Sequence, residues 1–137
     1  MPKTFKTSYR VTWADTDAAQ VVHYSNYFRL FERAEEEFYR SLGFSFTDFK
    51  AEGIWFPRVE ASCQYKKPAK FNDLLQIELV VEELKEKTVK YSFRVLNLET
   101  SELLATGYVI VVAANRQQGK ATQIPSEIRD KLKPFLK

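Results

Sequence analysis

The sequence is poor in cysteine and histidine, since Cys63 and His23 are the only residues of their kinds among 137. A single cysteine excludes an intramolecular disulfide framework and is typical of proteins in a reducing compartment. The sequence also lacks a run of about 18 apolar residues, the length at which a membrane-spanning helix becomes a candidate. Its first ten residues do not contain the apolar stretch of a secretory signal. We therefore expect a cytoplasmic protein without a membrane span.

Basic residues are not concentrated in any one part of the chain. The 21 Lys and Arg residues exceed the 18 Asp and Glu residues by only three charges. The two signs are interleaved, for example within residues 82–87, whereas a nucleic-acid-binding surface is usually a basic stripe. We expect no nucleic-acid partner, and the small positive excess is suited to an anionic small ligand.

Apolar and aromatic residues are plentiful, with 45% hydrophobic residues that include eleven Phe and seven Tyr. A chain of this length buries about two-thirds of the surface that it exposes when unfolded, which is enough for a core without disulfides. No internal repeat, low-complexity tract or linker divides the sequence. We predict a single domain over residues 1–137.

A long amphipathic helix is the strongest secondary-structure signal. Its apolar positions recur with helical spacing at Tyr27, Leu30, Phe31, Ala34, Phe38 and Leu42. Ser25 and Asn26 are good capping residues for its start, and Gly43 is a good terminator. The spacing predicts a helix from Ser25 or Asn26 to the residues just before Gly43, with one face in the core.

Alternation of apolar and polar residues predicts five strands. The first carries Tyr9, Val11 and Trp13 on one face. The others cover residues 59–65, 75–81, 89–95 and 103–113. Because short turns join the later strands, they must pair antiparallel. Residues 45–52 and the segment after Pro125 favour two short helices.

The order of these elements favours an α+β fold. One apolar helix must cover one apolar face of an antiparallel sheet, and a curved sheet wrapped around one long central helix achieves this. The arrangement leaves a sheet face or edge exposed, so we expect dimerisation through the sheet.

Residues 13–31 collect polar side chains at the start of the long helix. Asp15, Asp17 and His23 can titrate, and Tyr24 and Asn26 can form hydrogen bonds. The first amides of a helix are free donors at the positive end of its dipole, so they favour developing negative charge. This segment is therefore the candidate reactive centre.

Residues 15–32 read D-T-D-A-A-x-V-V-H-Y-S-N-Y-x-R-x-F-E. This phrase and the order of elements resemble the hotdog-fold acyl-CoA thioesterases of the 4-hydroxybenzoyl-CoA thioesterase and YbgC type. The resemblance covers nearly the whole chain and includes Pro57, Tyr65, Pro68 and Asp73. It implies hydrolysis of an acyl-CoA thioester to a free acid and CoA, with neither a metal nor another cofactor.

The resemblance also implies roles for particular residues. Asp17 corresponds to the catalytic carboxylate, which attacks the thioester carbonyl or activates water. Tyr24 corresponds to the position whose backbone N–H binds the thioester oxygen. His23 is expected to be a third catalytic residue in the same pocket, where it would position water or donate a hydrogen bond to the thioester or another substrate group. Substrate-binding positions correspond to Asn26, Pro57, Lys85, Lys87 and Thr88, of which the last three belong to a turn that meets the CoA phosphates.

Two positions depart from the family pattern. Glu86 places an acid in the phosphate-binding turn, so phosphate contact there is expected to be weaker or arranged differently. Gln20 stands where glycine is usual, and glycine serves where the backbone needs a positive φ or a close approach. The exact shape of the loop after Asp17 is therefore open.

Other interpretations of the same residues stay open. Asp15 and Asp17 are common in loops, where Asp bonds nearby amides. Ser25 and Asn26 can serve mainly as helix caps. An Asp-x-Asp pair without further ligands is weak support for a metal site.

Two rival functions also fit the sequence. A hotdog dehydratase or hydratase would pair His23 with Asp17, and a non-catalytic module would bind acyl-CoA without cleaving it. We expect a homodimer, or the homotetramer that this family commonly forms from two dimers. The acyl preference depends on pocket residues such as Leu30, Trp55 and Phe56.

Overall fold

The computed structural model describes residues 2–137. Five strands form one antiparallel sheet in the order β1-β4-β5-β6-β3, and two short strands, β2 and β7, pair separately. The elements in chain order are β1 (Phe5–Arg10), α1 (Asn26–Ser41), α2 (Phe46–Ala51), β2 (Ile54–Trp55), β3 (Arg58–Tyr65), β4 (Leu74–Leu84), β5 (Thr88–Asn97), β6 (Leu103–Val112), β7 (Ala114–Asn115) and α3 (Ser126–Leu132). The predicted α+β architecture, with one long helix on an antiparallel sheet, is confirmed.

Helix α1 packs its apolar face against the middle of the sheet. The Phe31 ring stacks on Phe93 of β5 with ring centroids 4.5 Å apart. Helix and sheet approach so closely that a Cβ atom at Gly107 would lie 2.5 Å from the Phe31 ring. The helix ends as predicted, because Gly43 has a φ of +87°, the left-handed conformation that glycine adopts most readily.

The predicted first strand is wrong at its C-terminal end. Strand β1 ends at Arg10, and Trp13–Asp15 forms a short 3₁₀ turn. The Trp13 side chain is 67% exposed and does not share the buried face of the sheet. The reason is local, since the Asp15 carboxylate accepts hydrogen bonds from the Thr12 amide and hydroxyl and thereby closes the turn.

A buried charge pair links α1 to the edge strand β3. Glu35 is 1% exposed and forms an ion pair with Arg58. The Tyr39 hydroxyl donates to the other Glu35 oxygen at 2.8 Å, and the Tyr39 and Tyr91 hydroxyls lie 2.9 Å apart. Burial raises the pKa of Glu35, and the Arg58 charge opposes that rise. Local patterns in the sequence do not identify Arg58 as the partner of Glu35.

The strands of the sheet end at two opposite sides, and the candidate site residues are divided between them. Tyr65 pairs with Ala105 at one end, and Arg58 pairs with Val111 at the other. Thr88 pairs with Val112, so the turn between β4 and β5 also lies at the second end. We call these the Tyr65 end and the Arg58 end. Among residues 2–137, no helix is both long enough and apolar enough to cross a membrane.

Candidate active site

Asp17 opens a tight loop whose backbone bonds fix its position. The Asp17 amide donates to the Val21 carbonyl oxygen at 2.9 Å, and the Gln20 amide donates to the Asp17 carbonyl oxygen at 2.8 Å. One carboxylate oxygen, Oδ1, accepts the Ala19 amide at 2.8 Å. The other, Oδ2, has no hydrogen-bond partner within residues 2–137. The half-buried carboxylate is thus oriented through one oxygen and available through the other.

Gln20 adopts the backbone conformation for which glycine is usual in this loop. Its φ is +66°. A side chain in the left-handed region costs roughly 1–2 kcal/mol. The hydrogen bond from the Gln20 amide to the Asp17 carbonyl oxygen holds this conformation, so the turn forms without glycine.

The Asp17 loop is fastened to the rest of the chain on both sides. The Val22 amide donates to the Ala69 carbonyl oxygen at 2.8 Å, and the His23 amide donates to the Asp15 carbonyl oxygen at 2.9 Å. The Asn26 side-chain amide donates to the same Asp15 carbonyl oxygen at 2.9 Å. Asn26, the first residue of helix α1, therefore holds the loop against the helix start.

Asp15 is a structural residue. Its Oδ2 accepts hydrogen bonds from the Tyr9 hydroxyl at 2.7 Å and from the Thr12 amide at 2.8 Å. Partial burial favours a higher pKa for Asp15, but the bonds from Thr12 and Tyr9 outweigh it and lower the pKa. The carboxylate is ionised and is bound by nearby donors through Oδ2, as the local interpretation of Asp15 anticipated.

Some backbone amides at the helix start have hydrogen-bond partners within residues 2–137, and the Tyr24 amide does not. The Ser25 amide donates to His23 Nδ1 at 3.2 Å, and the Ser25 hydroxyl lies 2.8 Å from the same nitrogen. The Ser25 side chain makes no capping bond to the helix, so the expected serine cap is wrong, and the side chain contacts the His23 ring instead. The Tyr24 amide, by contrast, has no hydrogen-bond partner in the described part of the chain. Such an unpaired donor can bind a developing oxyanion.

A cavity of about 320 Å³ brings Asp17 and Tyr24 together. Its other walls come from Val21, Val22, Tyr27, Tyr65, Lys66, Lys67 and Pro68. The Tyr65 hydroxyl donates to the Tyr24 carbonyl oxygen at 2.9 Å. Partial burial and the nearby Cys63 thiol raise the pKa of Tyr65 to about 12, so its hydroxyl stays protonated at neutral pH. Sequence reasoning used Tyr65 only as a family landmark and missed its contact with the helix start.

The other predicted site residues lie elsewhere. His23 does not line the Asp17 cavity, and its ring stacks on the Tyr24 ring with centroids 4.5 Å apart. Pro57 and the Lys85–Thr88 turn lie at the Arg58 end, across the eight residues of β3. At about 3.3 Å per residue, that strand separates them from Tyr65 by more than 20 Å. One chain alone therefore does not unite Asp17 with Lys85, Lys87 and Thr88.

A larger cavity, of about 520 Å³, lies on the sheet face opposite α1. Glu78, Arg94 and Tyr108 are among its lining residues, and neither Asp17 nor Tyr24 is. Arg94 and Glu78 pair with each other at 2.8 Å, and the Tyr108 hydroxyl bonds Glu60. Arg94, Glu78 and Tyr108 are thus engaged in bonds to other side chains, whereas Asp17 and Tyr24, which have a free carboxylate oxygen and a free amide among residues 2–137, both line the smaller cavity.

Comparison with known proteins gives consistent relatives. The sequence profile of the Thioesterase-like superfamily matches residues 11–132. A putative esterase of Aquifex aeolicus is 36% identical over 90% of this chain and 94% of that protein. The acyl-CoA thioester hydrolase YbgC of Escherichia coli is 30% identical over 90% of this chain and 92% of that protein. The structure of the BH1999 gentisyl-coenzyme A thioesterase superimposes with a TM-score of 0.82 and 34% identity, over 90% of this chain and 98% of that one.

Proposed function

This chain belongs to the thioesterase-like superfamily of hotdog-fold thioester hydrolases, and we propose that it hydrolyses acyl-CoA with Asp17 as the reacting carboxylate. The observation that carries this proposal is the cavity shared by Asp17 and Tyr24. Oδ2 of Asp17 and the backbone amide of Tyr24 both lack hydrogen-bond partners among residues 2–137. A base or nucleophile beside an unpaired amide is what thioester hydrolysis requires.

The proposed reaction begins with the thioester carbonyl beside the Tyr24 amide. Asp17 either attacks the carbonyl carbon or takes a proton from a water molecule that attacks it. The carbonyl electron pair moves to oxygen, which accepts the Tyr24 N–H bond, and collapse of the adduct expels the CoA thiolate. Direct attack leaves an acyl–Asp17 anhydride that water then cleaves. Both routes consume one water and yield the free acid and CoA.

Helix α1 strengthens the proposed oxyanion site. The helix has 16 residues, so its aligned peptide dipoles place partial positive charge near Tyr24. Removal of one preorganised donor from an oxyanion site costs about 3 kcal/mol of transition-state stabilisation. The amide of residue 24 is the functional group, and its exposed ring is free to vary.

A second copy of the chain would complete the substrate site. The outer edge of β3 has no strand partner among residues 2–137, and Val59 on that strand is 60% exposed. Antiparallel pairing of two β3 edges would set the Arg58 end of one subunit beside the Tyr65 end of the other. Lys85 and Lys87 of the partner subunit would then approach the Asp17 cavity. We propose a homodimer in which these lysines contact the CoA phosphates.

The dehydratase alternative receives less support from the geometry. It requires the His23 ring to act together with Asp17. The Nδ1 atom of that ring contacts Ser25, and His23 does not line the Asp17 cavity. Hydrolysis needs no contribution from this imidazole beyond its bonds at the helix start.

The experiment that tests the function is thiol release from a panel of acyl-CoA substrates. The panel varies acyl length and aromaticity, and it compares wild type with Asp17→Asn. We expect the variant to lose at least about a hundredfold in kcat, the usual contribution of a positioned acid or base. Asp130→Asn, an exposed aspartate of α3, is the control for loss of one negative charge. Undiminished turnover by Asp17→Asn would overturn the assignment, and survival of every acyl-CoA with wild type would support a binding module.

A further inference from the structure

The carbonyl oxygen of Asp15 bonds both ends of the turn that carries the Tyr24 amide. It accepts the His23 amide at 2.9 Å and the Asn26 side-chain amide at 2.9 Å. The Asn26 backbone amide also donates to the His23 carbonyl oxygen at 2.9 Å, which closes the turn between these two donors. Tyr24 lies inside this turn, so the Asp15 oxygen restrains the backbone that carries the proposed oxyanion donor.

Asp15 is itself anchored to the sheet. Its side-chain Oδ2 accepts the Tyr9 hydroxyl of β1 at 2.7 Å. The Arg33 guanidinium of α1 covers the Tyr9 ring, with its carbon 4.5 Å from the ring centroid. Asp17 follows Asp15 by two residues along the chain. The Asp15 carbonyl group therefore connects the proposed reacting carboxylate on one side with the helix-terminal amide on the other.

The half-buried Asn26 side chain is directed to this carbonyl group. A carbonyl oxygen only accepts, so the side chain must present its NH2 group there. Within residues 2–137 it accepts no bond from an amide of α1, as a helix cap would. Asn26 is also not among the residues that line the cavity shared by Asp17 and Tyr24. The side chain thus acts on the Asp15 loop and not on that cavity.

We infer that Asn26 is a positioning residue that holds the Asp17 loop at the right distance from the Tyr24 amide. The inference rests on the proposed function and gives Asn26 an effect on kcat through Asp15, without contact to the substrate. The carboxylate and the amide act on the same carbonyl group, so a small change in their separation is costly to rate. The backbone between Asp17 and Tyr24 is a loop, and the covalent chain alone does not impose that separation.

The test compares two variants that remove the N–H donors of Asn26 in different ways. Asn26→Asp keeps the size of the side chain but offers the Asp15 carbonyl oxygen no proton at neutral pH. A negative charge in the first helical turn favours the helix, so this variant should resist urea at least as well as wild type. Asn26→Leu removes the donors without adding charge. In both variants, kcat should fall by between about tenfold and a hundredfold, with KM for acyl-CoA within about twofold of wild type.

A thioether analogue of the acyl-CoA, which has no carbonyl to cleave, separates positioning from substrate binding. Its Kd should be the same within about twofold for wild type and both variants. Asn97→Leu is the matched control, because Asn97 Oδ1 accepts the Glu99 and Thr100 backbone amides in the turn after β5. Asn97 does not line the Asp17 cavity, so this variant should keep the kcat of wild type.

Hydrogen exchange measures the restraint on the loop without catalysis. Loss of the Asn26 bond should let the Asp17 loop open more often. We expect the amides in a peptide that covers residues 13–24 to exchange about fivefold faster in Asn26→Leu than in wild type. The same peptide of Asn97→Leu should exchange at the rate of wild type.

Four results would overturn the positioning role. They are an unchanged kcat in both variants, a loss of kcat confined to Asn26→Asp, a Kd for the thioether that weakens as much as kcat/KM falls, and unchanged exchange in Asn26→Leu. The second would assign the effect to added charge, and the third would make Asn26 a substrate ligand. Hydrolysis of acyl-CoA by wild type would leave the proposed function intact in each case. Absence of hydrolysis by wild type would instead count against the function itself.

Discussion

The Tyr65 hydroxyl donates a hydrogen bond of 2.9 Å to the carbonyl oxygen of Tyr24, 41 residues earlier in the chain. Tyr65 is the last residue of β3, and its ring packs edge-on against Tyr27 with centroids 5.1 Å apart. The contact connects the first turn of α1 to the sheet. It therefore restrains the backbone that carries the proposed oxyanion donor.

Replacement of Tyr65 by Phe should lower kcat more than it changes stability. Loss of this bond frees the peptide that follows Tyr24, and small displacements of catalytic groups are costly to rate. We expect kcat to fall about tenfold with KM nearly unchanged, and the free energy of unfolding to fall by only about 1 kcal/mol. Steady-state kinetics and urea unfolding measure the two effects. Tyr108→Phe removes a hydroxyl that bonds Glu60 on the other sheet face, and its kcat should match wild type.

Replacement of Gln20 by Gly should make the protein more stable. The substitution relieves a positive φ of 66°. The gain is partly offset by the larger entropy of glycine in the unfolded chain, so we expect a net increase of about 0.5 kcal/mol. Gln20→Val should destabilise, because β-branched side chains resist this conformation.

The control for that prediction is Gln118→Gly, since Gln118 is an exposed turn residue without a positive φ. It should be neutral or destabilising in the same urea unfolding series. A loss of stability in Gln20→Gly as large as that in Gln118→Gly would contradict the strain at position 20.

Removal of Arg58 should make stability strongly dependent on pH. Burial holds the pKa of Glu35 above its ordinary value of 4.5, and Arg58 limits that rise. In Arg58→Ala the unpaired carboxyl is neutral at low pH and must ionise in the core as the pH rises. Below the ordinary carboxyl pKa, the variant should therefore keep the stability of wild type. Towards neutral pH, its free energy of unfolding should fall about 3 kcal/mol below that of wild type.

Urea unfolding of both proteins from acid to neutral pH checks this sign. Arg94→Ala, which breaks an exposed pair with Glu78, should cost about 0.5 kcal/mol or less near neutral pH. A deficit in Arg58→Ala that stayed constant across the whole range would mean that Glu35 does not titrate in the core.

A lysine at Val59 should separate the proposed dimer. Pairing of two β3 edges would place each introduced lysine in the interface, beside the Tyr65 end of the partner strand, and desolvation of its charge would oppose association. We expect wild type to have about twice the chain mass of 16.0 kDa, or a higher multiple, and Val59→Lys to shift towards the monomer with reduced activity.

Light scattering coupled to size exclusion measures this shift. Ser8→Lys places the same charge on β1, at the opposite edge of the sheet, and should keep the wild-type mass. A fully active monomeric Val59→Lys would show that the site needs no second subunit.

Local patterns in the sequence determined the long helix and most of the longer strands. Helical spacing placed α1 between Asn26 and Ser41, and Gly43 marked its end. Glu36 and Arg40, four residues apart on this helix, form an ion pair at 2.6 Å. These features depend on neighbours within a few residues, which is the range over which side-chain periodicity and capping act.

Other features required the tertiary structure. The sheet order sets β3 at an edge beside β6, which brings Tyr65 to the helix start and Arg58 to Glu35. The same order places Lys87 at the opposite end from Asp17. Alternating patterns state which residues face the core, but they do not state which strands become neighbours. Contacts between segments that are distant in the sequence therefore form only when the helix and the sheet pack together, because all of these contacts depend on one shared core.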